Sequence, residues 1–234
     1  YRANKRASFS TLEMTKSIDN VADRFPVLVK GKDKAGEFFR KNFAGLFAYV
    51  QNRIPEITDE LYKIDDAMRA GYGWEHGPFQ IWDAVGVEKG IELMKAEGYE
   101  VADWVAAMLS SGKDSFYTVK EGNTFYYDIP KKEYVKKPGQ DGFIILDNIR
   151  ESKEVFKNSG VVVEDLGDGI LNVEFRSKMN SIGGDVLSGL NRAIDLAEKD
   201  ILVTTTTKKI TKSFFINSRT QFSQFFSAMS TNTF

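Results

Sequence analysis

The sequence predicts a mainly α protein, in which a helical unit precedes a shorter α/β segment. Two observations carry this. Apolar residues recur at spacings of three and four through most of residues 34–112, the period of a helix face. Near Gly160 the pattern changes to "VVVEDLGDGILNVEF", two strand-like runs around Gly167-Asp168-Gly169, which is a strong hairpin signal.

Composition sets the outer bounds. With 234 residues, 42% hydrophobic and 28% charged, the chain fits a soluble globular protein of one or two domains. A formal net charge of −1 gives no electrostatic case for nucleic acid or an anionic membrane surface. The absence of cysteine excludes disulfides, thiolate metal sites and cysteine nucleophiles. No apolar run approaches the ~20 residues that span a bilayer, and "YRANKRASFS" lacks a signal peptide's apolar core. A cytoplasmic protein is expected, and the first residue, Tyr rather than Met, favours a fragment.

Residues 1–33 form a polar, basic leader whose amphipathic piece "VADRFPVLVKGKDK" is expected to break at Pro26. Phe38, Phe39, Phe43, Leu46, Phe47 and Val50 then make one wide helix face, ended by Pro55. Thr58 offers an N-cap for the next helix, with Leu61, Ile64, Ala67 and Met68 as its buried stripe and Gly71 as terminator. Helical patterns over Val87–Glu97 and Val101–Leu109 complete a unit at 34–112. Residues 113–160 read as a hairpin turning at Glu121-Gly122-Asn123, followed by a connector. From 161 to 203 come the second hairpin, a helix face of Ile182, Val186, Leu190, Ile194 and Ala197, and a strand at Ile201-Leu202-Val203.

The tail at 204–234 breaks this pattern. All 33 acidic residues precede residue 201, and the last 34 residues contain no acid, glycine or proline. Average composition leads one to expect about five or six acids there. Out-of-frame translation accounts for this better than a disordered extension, since six phenylalanines fit poorly with solvation.

The stretch "IDDAMRAGYGWEHGPF", Ile64–Phe79, resembles the signature Ile-Asp-x-Ala-Met-x-x-Gly-x-Gly-x-x-x-Gly-Pro-Phe of the C-terminal helical domain of 3-hydroxyacyl-CoA dehydrogenases. It matches without gaps through Asp65, Gly71, Gly73, Gly77, Pro78 and Phe79. Residues 161–200 resemble, more weakly, the opening of the crotonase fold of enoyl-CoA hydratases, with Ser177-Lys178-Met179-Asn180 as its loop. In this order the two resemble bifunctional 3-hydroxyacyl-CoA dehydrogenase/enoyl-CoA hydratases of bacterial fatty-acid β-oxidation. The implied fold is a dehydrogenase C-terminal-like helical domain followed by a truncated crotonase-like start. The implied parent enzyme hydrates 2-enoyl-CoA and oxidises 3-hydroxyacyl-CoA with NAD. A truncated start would leave Leu171, Val173, Val186, Leu190 and Ile194 partly exposed.

The machinery itself is missing from the sequence. No G-x-G-x-x-G follows a strand, so NAD is expected to bind outside this chain. Where crotonases place an oxyanion donor in a Ser/Ala-Gly-rich segment, Thr204–Thr207 stand instead. Active dehydrogenase copies carry an Asn-Arg pair on the long helix. Counting back from Gly77 puts Arg40-Lys41 there, while Asn42 is two residues off and Asn52-Arg53 lies too near the signature. The resemblance therefore implies a second, repeated helical domain that packs on the missing first dehydrogenase domains, with no catalytic residue of its own and no metal. Lys178 and Asn180 are the candidate contacts to a CoA thioester substrate.

The residues also support plainer roles. Gly71 and Gly73 let the chain leave one helix, Pro78 starts the next, and Trp74, Phe79 and Trp82 fill the junction. His76, the sole histidine, suits packing or capping better than catalysis. Asp59, Glu60, Asp65 and Asp66 read as a solvated helix start, and Asp83 as a buried helix-end contact. Lys131, Lys132, Lys136 and Lys137 around Tyr134 read as a solvated linker. An alternative function is a non-catalytic helical interaction module whose Thr/Ser/Phe-rich tail binds a partner.

Overall fold

The computed structural model describes residues 7–177, 179, 181–197, 202–207 and 210–216. The chain divides after Asp141 into two compact units. That division falls inside the expected 113–160 connector, and residues 7–33 belong to the first unit rather than standing apart as a leader.

The first unit opens with α1 (Ser10–Thr15) and α2 (Val21–Lys30). Helix α2 runs through Pro26 instead of breaking there. Asn20 caps its start by accepting from the Ala22 N–H at 3.2 Å. At its other end the Arg40 guanidinium donates to the Val29 carbonyl at 3.0 Å and to the Gly31 carbonyl. Helix α3 (Lys34–Gln51) is capped by Asp33, which accepts from the Gly36 N–H at 3.0 Å. The same carboxylate takes the Thr11 hydroxyl at 2.7 Å, which fastens α1 to α3.

Helices α4 (Leu61–Tyr72), α5 (Pro78–Val85), α6 (Val87–Ala96) and α7 (Asp103–Ser110) follow, close to the predicted positions. Helix α3 packs against α2, α5 and α6. Its buried face is Phe43, Ala44, Phe47, Ala48, Val50 and Gln51, whereas Phe38, expected inside, is 61% exposed. Gln51 earns its burial by hydrogen bonding: its Nε2 donates to the Glu100 carbonyl at 2.7 Å and its Oε1 accepts from the Ala102 N–H at 2.9 Å. An amide at the end of a helix thus holds the extended chain before α7.

The hairpin is a three-stranded antiparallel sheet, β1 (Tyr117–Lys120), β2 (Asn123–Asp128) and β3 (Glu133–Lys136). Sequence reading missed β3, because Lys131–Lys137 looks like a solvated run. Three of the four lysines there are in fact paired: Lys131 with Asp128, Lys136 with Asp141, and Lys137 with Asp66 at 2.7 Å.

The second unit holds α8 (Leu146–Lys153), β4 (Glu154–Lys157), β5 (Val161–Gly167), β6 (Ile170–Phe175), α9 (Gly184–Ala197), β7 (Leu202–Thr207) and β8 (Ile210–Ile216). Its sheet order is β4-β5-β6-β7-β8, with β6 and β7 parallel and the other neighbours antiparallel. The turn Gly167-Asp168-Gly169 has positive φ throughout, as a tight hairpin of this kind demands. Val186, Leu190 and Ala193 of α9 bury Val161, Val163, Leu171, Val173 and Phe175. The expected exposure of Leu171, Val173, Val186, Leu190 and Ile194 is therefore corrected: all five are buried, because hairpin and helix cover one another. Ile182 lies ahead of the helix and at the surface. Two strands also enter the segment set aside as an atypical tail, consistent with the β preference of Thr, Ile and Phe; residues 217–234 lie outside the described residues.

Candidate functional site

The signature Ile64–Phe79 forms the joint between α4 and α5. Helix α4 ends not at Gly71 but at Gly73, whose φ of 66° places it in the left-handed conformation that glycine adopts without strain. Tyr72, Gly73, Trp74 and Glu75 then pass along the surface, so Trp74 does not fill the junction. Gly71 meets nothing nearby. The chain turns inward at Gly77, and Gly77, Pro78 and Phe79 are buried.

Helix α5 begins with a glycine N-cap and a proline, neither able to cap it with a side chain. Asp65 supplies that cap from α4. Its Oδ1 accepts from the Phe79 N–H at 2.9 Å and its Oδ2 from the Gln80 N–H at 3.1 Å. These are donors that a helix start leaves unmet. Gln80 Oε1 returns the favour by accepting from the Gly77 N–H at 2.9 Å. The approach is close enough that a β-carbon on Gly77 would overlap the Asp65 side chain and Cα.

A second carboxylate works at the far end of α5. Asp83 accepts from the Phe116 N–H at 2.7 Å and the Tyr117 N–H at 2.9 Å, fixing the entry to β1. The Tyr117 hydroxyl in turn donates to Asp65 Oδ2 at 2.8 Å. Tyr117 is thus held at its backbone by one aspartate and at its phenol by the other. Desolvation pushes the Asp65 carboxyl from 3.8 up to about 6 and Asp83 from 3.8 up to about 8, against hydrogen bonds that pull them down. Burial among these carboxylates also raises the Tyr117 phenol well above its ordinary value.

An aromatic stack lies against this network. Phe47 and Trp82 stack at 4.8 Å, and Phe116 meets Phe79 at 5.1 Å and Trp82 at 5.0 Å. The Trp82 indole N–H donates to the Val87 carbonyl at 3.0 Å, which closes the α5–α6 turn. Gly90 of α6 leaves room for that indole. His76 sits edge-on to Phe25 with ring centres 5.9 Å apart.

The sequence-predicted residues therefore divide. Asp83 makes a helix-end contact as expected, though half-buried rather than buried. Asp65 is not part of a solvated helix start; it is 1% exposed. The α4 stripe runs through Leu61 and Asp65, with Ile64 and Met68 half-buried and Ala67 exposed. Thr58 accepts from the Glu60 N–H at 3.1 Å, and Glu60 rather than Thr58 is the N-cap. The sequence does not reveal the roles of Phe116, Tyr117 and Gln80, whereas the burial of Asp65, already named in the signature, could have been read from its place four residues after Leu61 on the inward face. Lys178 and Asn180 lie outside the described residues.

Chemically, this arrangement binds backbone and leaves little to act on a substrate. Both aspartates are taken up by N–H and O–H donors of the chain. Arg40, where the resemblance would place the Asn of active copies, donates to the carbonyls that end α2, and Lys41 pairs with Glu37 at 2.8 Å on the surface. A shallow cavity of about 290 Å³ lies elsewhere in the first unit, between Ala48, Asn52 and residues 99–103. No group of His, Cys, Asp and Glu among the described residues could hold a metal. NAD fits these residues poorly. The first unit's sheet is antiparallel, and the parallel β6–β7 crossover enters α9 through Gly183-Gly184 without the three-glycine phosphate turn.

Comparison with known proteins finds relatives by sequence. Over 201 residues, 86% of this chain, the sequence is 32% identical to a Bacillus subtilis protein named as a 3-hydroxyacyl-CoA dehydrogenase. The likeness is to 3-hydroxyacyl-CoA dehydrogenases. Two Rickettsia proteins named as fatty acid oxidation complex trifunctional enzymes, from R. felis and R. prowazekii, are 25% and 26% identical over 70% of this chain. The chain spans about a quarter of the length of the Bacillus protein and a fifth of the Rickettsia proteins. No family model matches it, and no solved structure does.

Proposed function

We propose that this chain serves a fatty-acid β-oxidation enzyme of the 3-hydroxyacyl-CoA dehydrogenase kind, as a supporting helical domain followed by the start of a crotonase-like domain. The observation that carries the reading is the 32% identity to the Bacillus protein over most of the chain. The joint geometry gives the support role its content. In Ile64–Phe79 the signature's Asp, Gly-Pro and Phe build a helix junction, and the residues aligned with the active Asn-Arg pair are spent on helix capping and a surface pair.

On this reading the parent enzyme oxidises 3-hydroxyacyl-CoA with NAD bound outside this chain, and hydrates 2-enoyl-CoA in its crotonase part. The hairpin β5–β6, the helix α9 and the parallel strand β7 follow the order of a crotonase opening, which supports the second half of the proposal. Lys178 and Asn180 are the proposed CoA contacts, the first dehydrogenase domains the proposed packing partner, and the cytoplasm the proposed location. The chain by itself is proposed to turn over neither substrate. Strands β7 and β8 occupy part of the segment that a free binding tail would need, so the interaction-module reading gains no observation.

A chimera tests the assignment. The matched stretch of the Bacillus protein is replaced with this chain, and NAD-dependent oxidation of 3-hydroxybutyryl-CoA is measured. A supporting domain leaves turnover within a few-fold of the parent. A folded chimera with turnover abolished contradicts the proposal.

A further inference from the structure

Helix α3 has a second face besides the one it buries. Lys34, Phe38, Asn42, Gly45, Tyr49 and Asn52 recur at spacings of four and three, so they lie along one side of the helix, away from Phe43 and Phe47. All are exposed except Gly45, which is half-buried. A seam spaced in this way is the pattern by which two helices pair. Here most of it faces water.

Gly45, at the centre of the seam, has no explanation within the unit. A glycine inside a helix is less favourable than an alanine. At Gly36 and Gly90 a β-carbon would overlap a neighbour, the Gly31 backbone and the Trp82 indole respectively. At Gly45 it would meet only the Tyr99 hydroxyl, at an ordinary 3.6 Å. The two ends of the seam also differ. Lys32 and Lys34 stand exposed at one end, beside Phe38. At the other end lies the hollow of about 290 Å³, with Ala48, Asn52 and Tyr99 in its wall and the exposed Glu100 and Asp103 at its rim. None of these four charged side chains forms a salt bridge among the described residues.

We infer that this seam docks the same seam of a second copy of the chain, with the two α3 helices antiparallel and Gly45 at the two-fold axis. A two-fold interface must be its own complement. This one is, because residues equidistant from Gly45 face each other. Phe38 of one copy comes level with Asn52 of the other, at the hollow. Lys34 comes level with the end of α3, where Gln51 holds Glu100 and Ala102. Each basic end thus meets an acidic one, whereas a parallel pair would set like ends together. Charge complementarity fixes the orientation, the aromatic side chains supply contact area, and the glycines let the two backbones approach closely. The pairing also covers Phe38, which the single chain leaves in water. It concerns the first unit and does not depend on the proposed function.

Sedimentation of the full chain from micromolar to millimolar concentration tests this. A concentration-dependent dimer that weakens as salt is added is expected. Gly45→Glu sets two carboxylates together at the axis. It should weaken the dimer by about ten-fold or more and leave the fold intact, since the β-carbon has room. Two charge reversals test the register. Lys32→Glu with Lys34→Glu, and separately Glu100→Lys with Asp103→Lys, should each abolish self-association. Mixing the two variants should restore a dimer, because both ends then pair opposite charges. A chain that stays monomeric throughout, a dimer indifferent to G45E, or a mixture that stays monomeric overturns the inference. Should G45E fail to fold, Phe38→Ser at its exposed position is read instead, with the same weakening expected and an unchanged dimer overturning the inference.

Discussion

Gly77 passes so close to Asp65 that a β-carbon on the glycine would occupy the space of the aspartate side chain. The reason is the capping geometry: the carboxylate must lie within hydrogen-bond reach of Phe79 and Gln80, directly over the Gly77 backbone. Gly77→Ala should therefore force the joint apart. A destabilisation of about 1–3 kcal/mol is expected from overpacking of this kind, read from a urea midpoint. An unchanged midpoint would show that the joint yields without cost.

Asp65→Asn keeps the shape and removes one acceptor. An amide offers a single oxygen, so either the Phe79 N–H, held by Oδ1, or the Gln80 N–H and Tyr117 hydroxyl, both held by Oδ2, lose their partner. The loss should cost about 1–3 kcal/mol, the penalty of a buried unmet donor. Trp74→Ala is the contrasting variant. Trp74 lies at the surface, and its removal should change stability by less than about 0.5 kcal/mol.

The two aspartates also predict a pH dependence. Both carboxyls are raised in the folded chain, from 3.8 to about 6 for Asp65 and about 8 for Asp83. The folded state therefore holds these protons more tightly than the unfolded state. Their contribution is complete below the unfolded value near 3.8 and is lost as pH rises through about 6 and then about 8. Urea midpoints should fall between pH 5 and pH 9, and Asp83→Asn should flatten the upper part of that fall. A midpoint that rises across the same window contradicts the assignment. Asp33 acts in the opposite sense: hydrogen bonds from Thr11 and Gly36 depress its carboxyl, so its contribution is lost only as the solution becomes strongly acidic.

Gln51→Ala probes the wall of the shallow cavity. It frees the Glu100 carbonyl and the Ala102 N–H together. Hydrogen exchange should rise at residues 99–103 and leave β1–β3 protected. Rising exchange in the sheet as well would mean that Gln51 supports more than this segment.

Much of the helical architecture is legible in the sequence because it rests on local period and punctuation. Phe43, Phe47 and Val50 mark α3, and Gly98 and Gly112, both at positive φ, stop the patterns that become α6 and α7. What was not legible depends on partners distant in sequence. Asp65 is buried because α5 presents bare N–H groups to it, and Tyr117 is fixed by residues 52 and 34 positions away. Arg150 and Glu164 look like ordinary surface charges until α8 and β5 are placed together. Trp74 and Phe38 fail in the other direction, since apolar character alone does not say which face a neighbour will cover.

The central claim is that this chain supports β-oxidation chemistry without performing it. The most direct measurement is NADH consumption by the purified chain with acetoacetyl-CoA as substrate. The account predicts a rate no greater than the blank, because the carboxylates of the joint are committed to backbone donors and no described segment forms a dinucleotide turn. Turnover that follows the protein through purification and saturates in both NADH and acetoacetyl-CoA would contradict it.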